Sequence, residues 1–136
     1  MISAHADFQV EFYDVDAMKV VWHGNYARFF EVGRMALYDK IGYGYLEMEA
    51  SGYAWPVVDL HIRYVRPAKL GQKLRVTAEL IEYENRVVME FAILDIVSGE
   101  RLTKGDSVQV CVDAKNGELQ FLTPEFFQAK VRKALA

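Results

Sequence analysis

One run of this chain gathers the residue types that acyl-transfer chemistry needs: Asp14-Val15-Asp16-Ala17-Met18-Lys19-Val20-Val21-Trp22-His23-Gly24-Asn25-Tyr26. It joins a short alternating segment, Phe8-Gln9-Val10-Glu11-Phe12, to an amphipathic stretch that begins near Asn25. Two carboxylates, a histidine and a glycine therefore lead into a helix N-terminus. Such a terminus offers unpaired backbone N–H groups and a partial positive charge. It can polarise a carbonyl oxygen while a nearby carboxylate attacks or activates water. Spacing alone leaves a second explanation for Asp16, the cap of a turn. Asp14, two residues away, would point elsewhere on an extended segment and reads as a turn-stabilising carboxylate. Asp-x-Asp also occurs in metal sites, but no matching set of oxygen ligands follows, so no metal is expected.

Other chemistries lack their signatures. No serine lies in a Gly-x-Ser-x-Gly elbow, and there is no phosphate-cradling glycine loop or dinucleotide fingerprint. The lone Cys111 sits in the alternating run Val108-Gln109-Val110-Cys111-Val112 and reads as a buried structural thiol, with no partner for an intrachain disulfide. His5 and His61 read as structural. A net charge of -3 gives no support to nucleic-acid binding. No stretch approaches the roughly 20 apolar residues of a membrane span, and no secretory leader pattern opens the sequence. A cytoplasmic location is the default expectation.

The elements that must position this run can be read from periodicity. The 136 residues, 52% apolar and 26% charged, suit one domain spanning residues 1–136. A first strand is expected over about residues 6–12 and a helix from Asn25 to Ile41. The helix would bury Tyr26, Phe29, Phe30, Gly33, Ala36, Leu37 and Ile41, with Arg28, Glu31 and Asp39 on the other side. Gly33 costs that helix about 1 kcal/mol relative to Ala, which close approach to a sheet would explain. Gly42-Tyr43-Gly44 ends it, and a short helix is expected over Tyr45–Ala50. From Trp55 the period becomes two. Strands are expected over residues 57–64, 74–80, 88–96 and 108–112, with turns at Glu84-Asn85, Ser98-Gly99 and Asn116-Gly117. Thr123-Pro124 reads as the N-cap and first turn of a last short helix. Hairpin connections imply antiparallel pairing. The fold class is α+β, an antiparallel sheet wrapped around one long central helix.

Motif and element order together resemble the hotdog-fold acyl-CoA thioesterases, in the 4-hydroxybenzoyl-CoA thioesterase/YbgC-like branch. Phe12-Tyr13-Asp14-Val15-Asp16, Val20-Val21-Trp22-His23-Gly24-Asn25-Tyr26, Phe29-Phe30-Glu31, Arg34, Ile62-Arg63-Tyr64-Val65-Arg66-Pro67-Ala68 and Gly71-Gln72 carry the resemblance, which covers nearly the whole chain. It implies catalysis by Asp16, the second acid of the pair, as nucleophile or general base, with His23 assisting it or the leaving group. The family commonly has glycine within the three residues after that aspartate, where this chain has Ala17-Met18-Lys19.

Several assignments accompany this implied role. Backbone N–H groups of Gly24 and Asn25 are candidates to hold the thioester oxygen. Arg63, Arg66 and Lys69 form a basic cluster suited to the phosphates of coenzyme A, with Arg86, Arg101 and Lys104 as further candidates. Tyr26, Phe29, Phe30, Met35 and Trp55 are candidates for an acyl pocket. The expected substrate is an acyl-CoA or an acyl carrier protein thioester, and no cofactor is expected beyond the coenzyme A of the substrate. The resemblance implies a homodimer, or a tetramer formed as a dimer of dimers, with the site at the subunit boundary. Three alternatives stand beside hydrolysis of acyl-CoA: a carrier-protein thioesterase, a hotdog dehydratase or isomerase, and a non-catalytic acyl-thioester-binding protein. Hotdog dehydratases generally have a different His/Asp arrangement on the central helix, and the helix here has no histidine after His23.

Overall fold

A computed structural model describes all residues from Met1 to Ala136. Eight strands and three α-helices follow in the order β1 (Ser3–Gln9), α1 (Tyr26–Lys40), α2 (Tyr45–Ser51), β2 (Tyr53–Ala54), β3 (Val57–Tyr64), β4 (Lys73–Glu82), β5 (Val87–Asp95), β6 (Arg101–Gln109), β7 (Cys111–Asp113), β8 (Leu119–Gln120) and α3 (Glu125–Leu135). The main sheet has the order β1-β4-β5-β6-β3 and is antiparallel throughout. A smaller sheet joins β2, β7 and β8. Helix α1 lies across β1 and β4 on the inner face of the main sheet, as expected for a hotdog fold.

The alternation of β4 and β5 explains this layering. Leu74, Val76, Ala78 and Leu80, with Val87, Met89, Phe91 and Ile93, point inward and are buried, while the residues between them face out. Helix and sheet approach closely at Gly33, where a Cβ would lie 2.9 Å from Val76 Cγ2. The Phe30 ring stacks on Phe91 with centroids 4.6 Å apart.

Several expected boundaries shift. The first strand runs over Ser3–Gln9, and Phe12–Asp14 forms a single 3-10 turn instead, because Asp14 folds back to accept the Glu11 N–H. Residues His23–Asn25 also form a 3-10 turn, so α1 starts at Tyr26. The buried stripe of α1 includes Arg34 and Tyr38, whereas Ala36 is only half-buried. Strand β6 begins at Arg101, well before Val108, because Lys104-Gly105-Asp106 hides the alternation. It ends at Gln109, and Cys111 starts a strand in the smaller sheet. Thr123 does not cap α3: its hydroxyl donates to the carbonyls of Tyr83 at 2.7 Å and Glu84 at 3.1 Å. Cys111 is buried as expected, and burial pushes its thiol up to about 11.

Arg34 and Tyr38 are buried because Gln109 receives both. Gln109 Oε1 accepts from Arg34 Nη1 at 2.8 Å and from the Tyr38 hydroxyl at 2.6 Å. Its Nε2 donates to the Trp55 carbonyl at 2.8 Å. One glutamine at the end of β6 thus ties α1 to the segment entering β3. Burial drives the Tyr38 phenol far above its ordinary range.

Candidate active site

Asp14 organises the run that carries the candidate chemistry. Its buried carboxylate accepts the Glu11 N–H at 2.8 Å and pairs with Arg28. Its carbonyl accepts the Trp22 N–H at 3.1 Å and Asn25 Nδ2 at 2.8 Å. Both ends of the segment between them are held from this one residue. Asp14 therefore occupies a structural position, and Asp16 the exposed one.

Residues 15–21 form a miniature hairpin closed by the Val15–Val21 pair. The Asp16 N–H donates to the Val20 carbonyl, and the Lys19 N–H to the Asp16 carbonyl, both at 2.9 Å. Lys19 adopts φ of 62°, the left-handed conformation that completes a three-residue hairpin loop. The backbone shape that glycine favours is thus kept here by a lysine. The Asp16 carboxylate is exposed at the hairpin tip. Its Oδ1 accepts the Met18 N–H at 2.8 Å, while Oδ2 has no protein partner. One oxygen orients the group and the other is left for an incoming molecule.

The hairpin is fastened to the segment after β3. Val20 pairs with Lys69, the Val21 N–H donates to the Ala68 carbonyl at 2.8 Å, and the Leu70 N–H to the Lys19 carbonyl at 3.2 Å. A cleft of about 230 Å³ opens beside this seam, lined by Val21, His23, Tyr26, Tyr64, Val65, Arg66 and Pro67. His23 is exposed, and its ring lies 5.1 Å from that of Trp22. The Tyr64 hydroxyl donates to the His23 carbonyl at 3.0 Å and fixes the turn. The Trp22 ring also covers Gly24, where a Cβ would fall 2.2 Å from it.

The remaining candidate residues separate. The Gly24 N–H has no acceptor in the protein, whereas that of Asn25 is spent on the Trp22 carbonyl at 2.9 Å. Of the two backbone candidates, only Gly24 keeps a donor. Tyr26 borders the cleft, and its hydroxyl accepts the Ala68 N–H at 3.2 Å. Phe29 and Phe30 are sealed in the core, Phe29 against Phe8 and Phe30 against Phe91. Trp55 packs on Phe127 and donates to the Tyr43 hydroxyl. These three are core side chains and do not border the cleft, and Met35 is only half-buried beside the core.

The basic cluster divides as well. Arg66 borders the cleft and pairs with Glu100 at 3.3 Å, and Lys69 adjoins the hairpin. Arg63 lies on the outer face of the sheet opposite Lys104, with Arg101 near them, and Arg86 pairs with Glu82. Tyr64, Trp22 and Arg28 were given no role from sequence. Tyr64 stands two residues from Arg66 in a recognised motif, so its place in the run was the available signal. Trp22 and Arg28 act through contacts that spacing does not reveal.

Comparison with known proteins agrees with this architecture. Residues 10–131 match the thioesterase-like superfamily. The candidate acyl-CoA thioesterase YneP of Bacillus subtilis is 33% identical over 111 residues, covering 81% of this chain and 80% of that protein. Among solved structures, a DHNA-CoA thioesterase from Staphylococcus aureus superposes with a TM-score of 0.87 at 27% identity, covering 99% of this chain and 89% of the other. A 1,4-dihydroxy-2-naphthoyl-CoA thioesterase from Synechocystis shares the fold, with a TM-score of 0.85, 18% identity and 96% coverage of both chains. The chain belongs to the thioesterase-like superfamily and has the hotdog fold. Its class is that of the thioester hydrolases.

Proposed function

We propose that this protein hydrolyses an acyl-CoA to the free acid and coenzyme A, with Asp16 as the residue that attacks or activates water. The observation that carries this reading is the Asp16 carboxylate, exposed at a hairpin tip with one oxygen anchored and the other unpartnered. The named activities of YneP and the Staphylococcus aureus enzyme support the substrate class.

A thioester is already activated, so two routes suit the site. In the first, Asp16 Oδ2 bonds to the thioester carbon, the C–S bond breaks, and the thiolate leaves with a proton from His23. Water then opens the mixed anhydride and restores the carboxylate. In the second, Asp16 takes a proton from water as that water attacks the same carbon, after which the C–S bond breaks and the thiolate leaves with that proton, passed on through His23. In both, the unpaired Gly24 N–H is the donor for the developing oxyanion. Arg66 and Lys69 are placed beside the cleft and hairpin to hold phosphates of the nucleotide. No resident cofactor takes part in either route.

The free edge of β3 supports a homodimer that continues the sheet across a two-fold axis. β3 pairs only with β6, and Val57, Val58 and Leu60 are exposed along it. Thiol release from short, medium, long and aromatic acyl-CoAs tests the reading, with wild type and Asp16→Asn side by side. The expected loss in kcat is about 10²–10⁴-fold with unchanged thermal stability. Retained activity in folded Asp16→Asn would overturn the role of Asp16. No wild-type turnover on any acyl-CoA would transfer the reading to a carrier-protein thioester or to binding without catalysis.

A further inference from the structure

The His23 carbonyl and the Gly24 N–H are the two ends of one peptide unit. That unit is planar and trans, so its oxygen and its hydrogen point to opposite sides. Whatever holds the oxygen therefore aims the hydrogen. The Gly24 N–H has no acceptor in the protein, and the His23 carbonyl accepts the Tyr64 hydroxyl at 3.0 Å. Glycine is required at position 24 because a Cβ there would fall 2.2 Å from the Trp22 ring. It also brings rotational freedom to the peptide before it, enough to turn the N–H away from the cleft. Tyr64 is well placed to block that rotation. It lies at the end of β3 opposite Thr103, and its ring stands edge-on to Tyr26 with centroids 5.1 Å apart. Tyr26 is buried, and its hydroxyl accepts the Ala68 N–H at 3.2 Å. Tyr64 is half-exposed, so water can satisfy its phenol equally well and the bond to His23 adds little to stability.

We propose that Tyr64 is a positioning residue for thioester hydrolysis, acting through the His23–Gly24 peptide to aim and strengthen the N–H that receives the developing oxyanion. The inference rests on the acyl-CoA hydrolysis proposed above. A hydrogen bond received at a carbonyl polarises the whole peptide and makes its N–H a stronger donor, by about 10–30%. The thioester oxygen carries little charge until its carbon is attacked, so the benefit falls on the transition state and not on substrate binding. Losing a whole oxyanion donor costs about 10²–10³-fold in kcat. About a tenth to three tenths of that effect on a logarithmic scale, with some added misalignment, gives a share for the Tyr64 hydroxyl of roughly 3- to 10-fold.

Tyr64→Phe tests this, because it removes one oxygen and keeps the ring against Tyr26. His23-Gly24 is the sole His-Gly pair in the sequence. Full chain labelled with carbonyl-¹³C histidine and ¹⁵N glycine therefore gives one directly bonded ¹³C–¹⁵N signal, and it comes from this peptide. In Tyr64→Phe both nuclei are expected to move upfield, with far-UV circular dichroism and thermal midpoint unchanged. On the acyl-CoA that wild type turns over fastest, kcat is expected to fall by roughly 3- to 10-fold with KM held within about twofold. A signal that does not move overturns the proposal. So does a kcat equal to that of an active wild type, or a loss confined to KM, which would make Tyr64 a substrate contact instead. Wild type inactive on every acyl-CoA would refute the acyl-CoA reading and this inference with it, so the two failures are told apart by the wild-type rate alone.

Discussion

Replacing Gln109 with alanine tests the link between α1 and the sheet most directly. The change removes the shared acceptor of Arg34 and Tyr38 and the donor to the Trp55 carbonyl. Arg34 and Tyr38 are 3% and 0% exposed, so neither finds water without rearrangement. Arg34 keeps its Nε ion pair with Glu31 at 3.0 Å, so its charge stays partnered, and each of the Arg34 Nη1, Tyr38 hydroxyl and Trp55 carbonyl groups left unpaired costs about 1–3 kcal/mol. Some relaxation around the vacated space offsets part of this. A loss of about 4 kcal/mol or more is expected, a large share of the roughly 5–15 kcal/mol typical of a domain. Tyr38→Phe is the control. It removes one hydroxyl while Gln109 Oε1 still accepts from Arg34, so about 1 kcal/mol is expected. Gln109→Glu keeps both donors satisfied but sets a carboxylate oxygen against the Trp55 carbonyl, and falls between the two. Urea unfolding followed by circular dichroism supplies all three values. A cost under about 2 kcal/mol for Gln109→Ala, or equal costs for it and Tyr38→Phe, would refute the network as the tie between helix and sheet.

Two further expectations concern single residues. Lys19 holds a left-handed backbone conformation that costs an L-residue about 1–2 kcal/mol, against about 0.5–1 kcal/mol of extra unfolded-state freedom for glycine. Lys19→Gly should therefore stabilise by about 0.5–1 kcal/mol and Lys19→Val should destabilise, both read from thermal unfolding. The hydrogen bond that the His61 ring donates to Asp106, aided by the Asp59 and Asp106 charges, raises the proton affinity of His61 above its ordinary value. The contribution of this pairing to stability is present below pH 6.5 and is lost as pH rises through the higher folded-state midpoint. Titration of the His61 ring by NMR should show that raised midpoint, and Asp106→Asn should lower it.

Where burial follows one periodicity, the sequence states the fold plainly. The long helix, the hairpins and the inward rows of β4 and β5 all repeat at their expected spacing. Departures arise where a polar residue is buried by a distant partner. Arg34 and Tyr38 look like surface positions until Gln109, more than 70 residues away, receives them. Strand β6 was obscured because its inward face carries Thr103, Gly105 and Ser107 in place of large apolar residues. At the candidate site the order of Asp16, His23 and Gly24 was legible, but its geometry was not. The left-handed Lys19 and the commitment of the Asn25 N–H are properties of backbone conformation. The three basic residues of one sequence cluster separate because β3 directs Arg63 to the outer face, whereas Arg66 and Lys69 lie on the segment leaving it.

The two tryptophans divide the molecule into separately observable regions. Trp55 is buried beside Tyr43 and Phe127, while Trp22 is half-exposed and leans on His23. An imidazolium quenches the emission of an adjacent indole more strongly than a neutral imidazole does. With Trp55 replaced by phenylalanine, the remaining emission becomes an intrinsic gauge of the charge on His23. It can be followed during turnover without attaching any label to the protein.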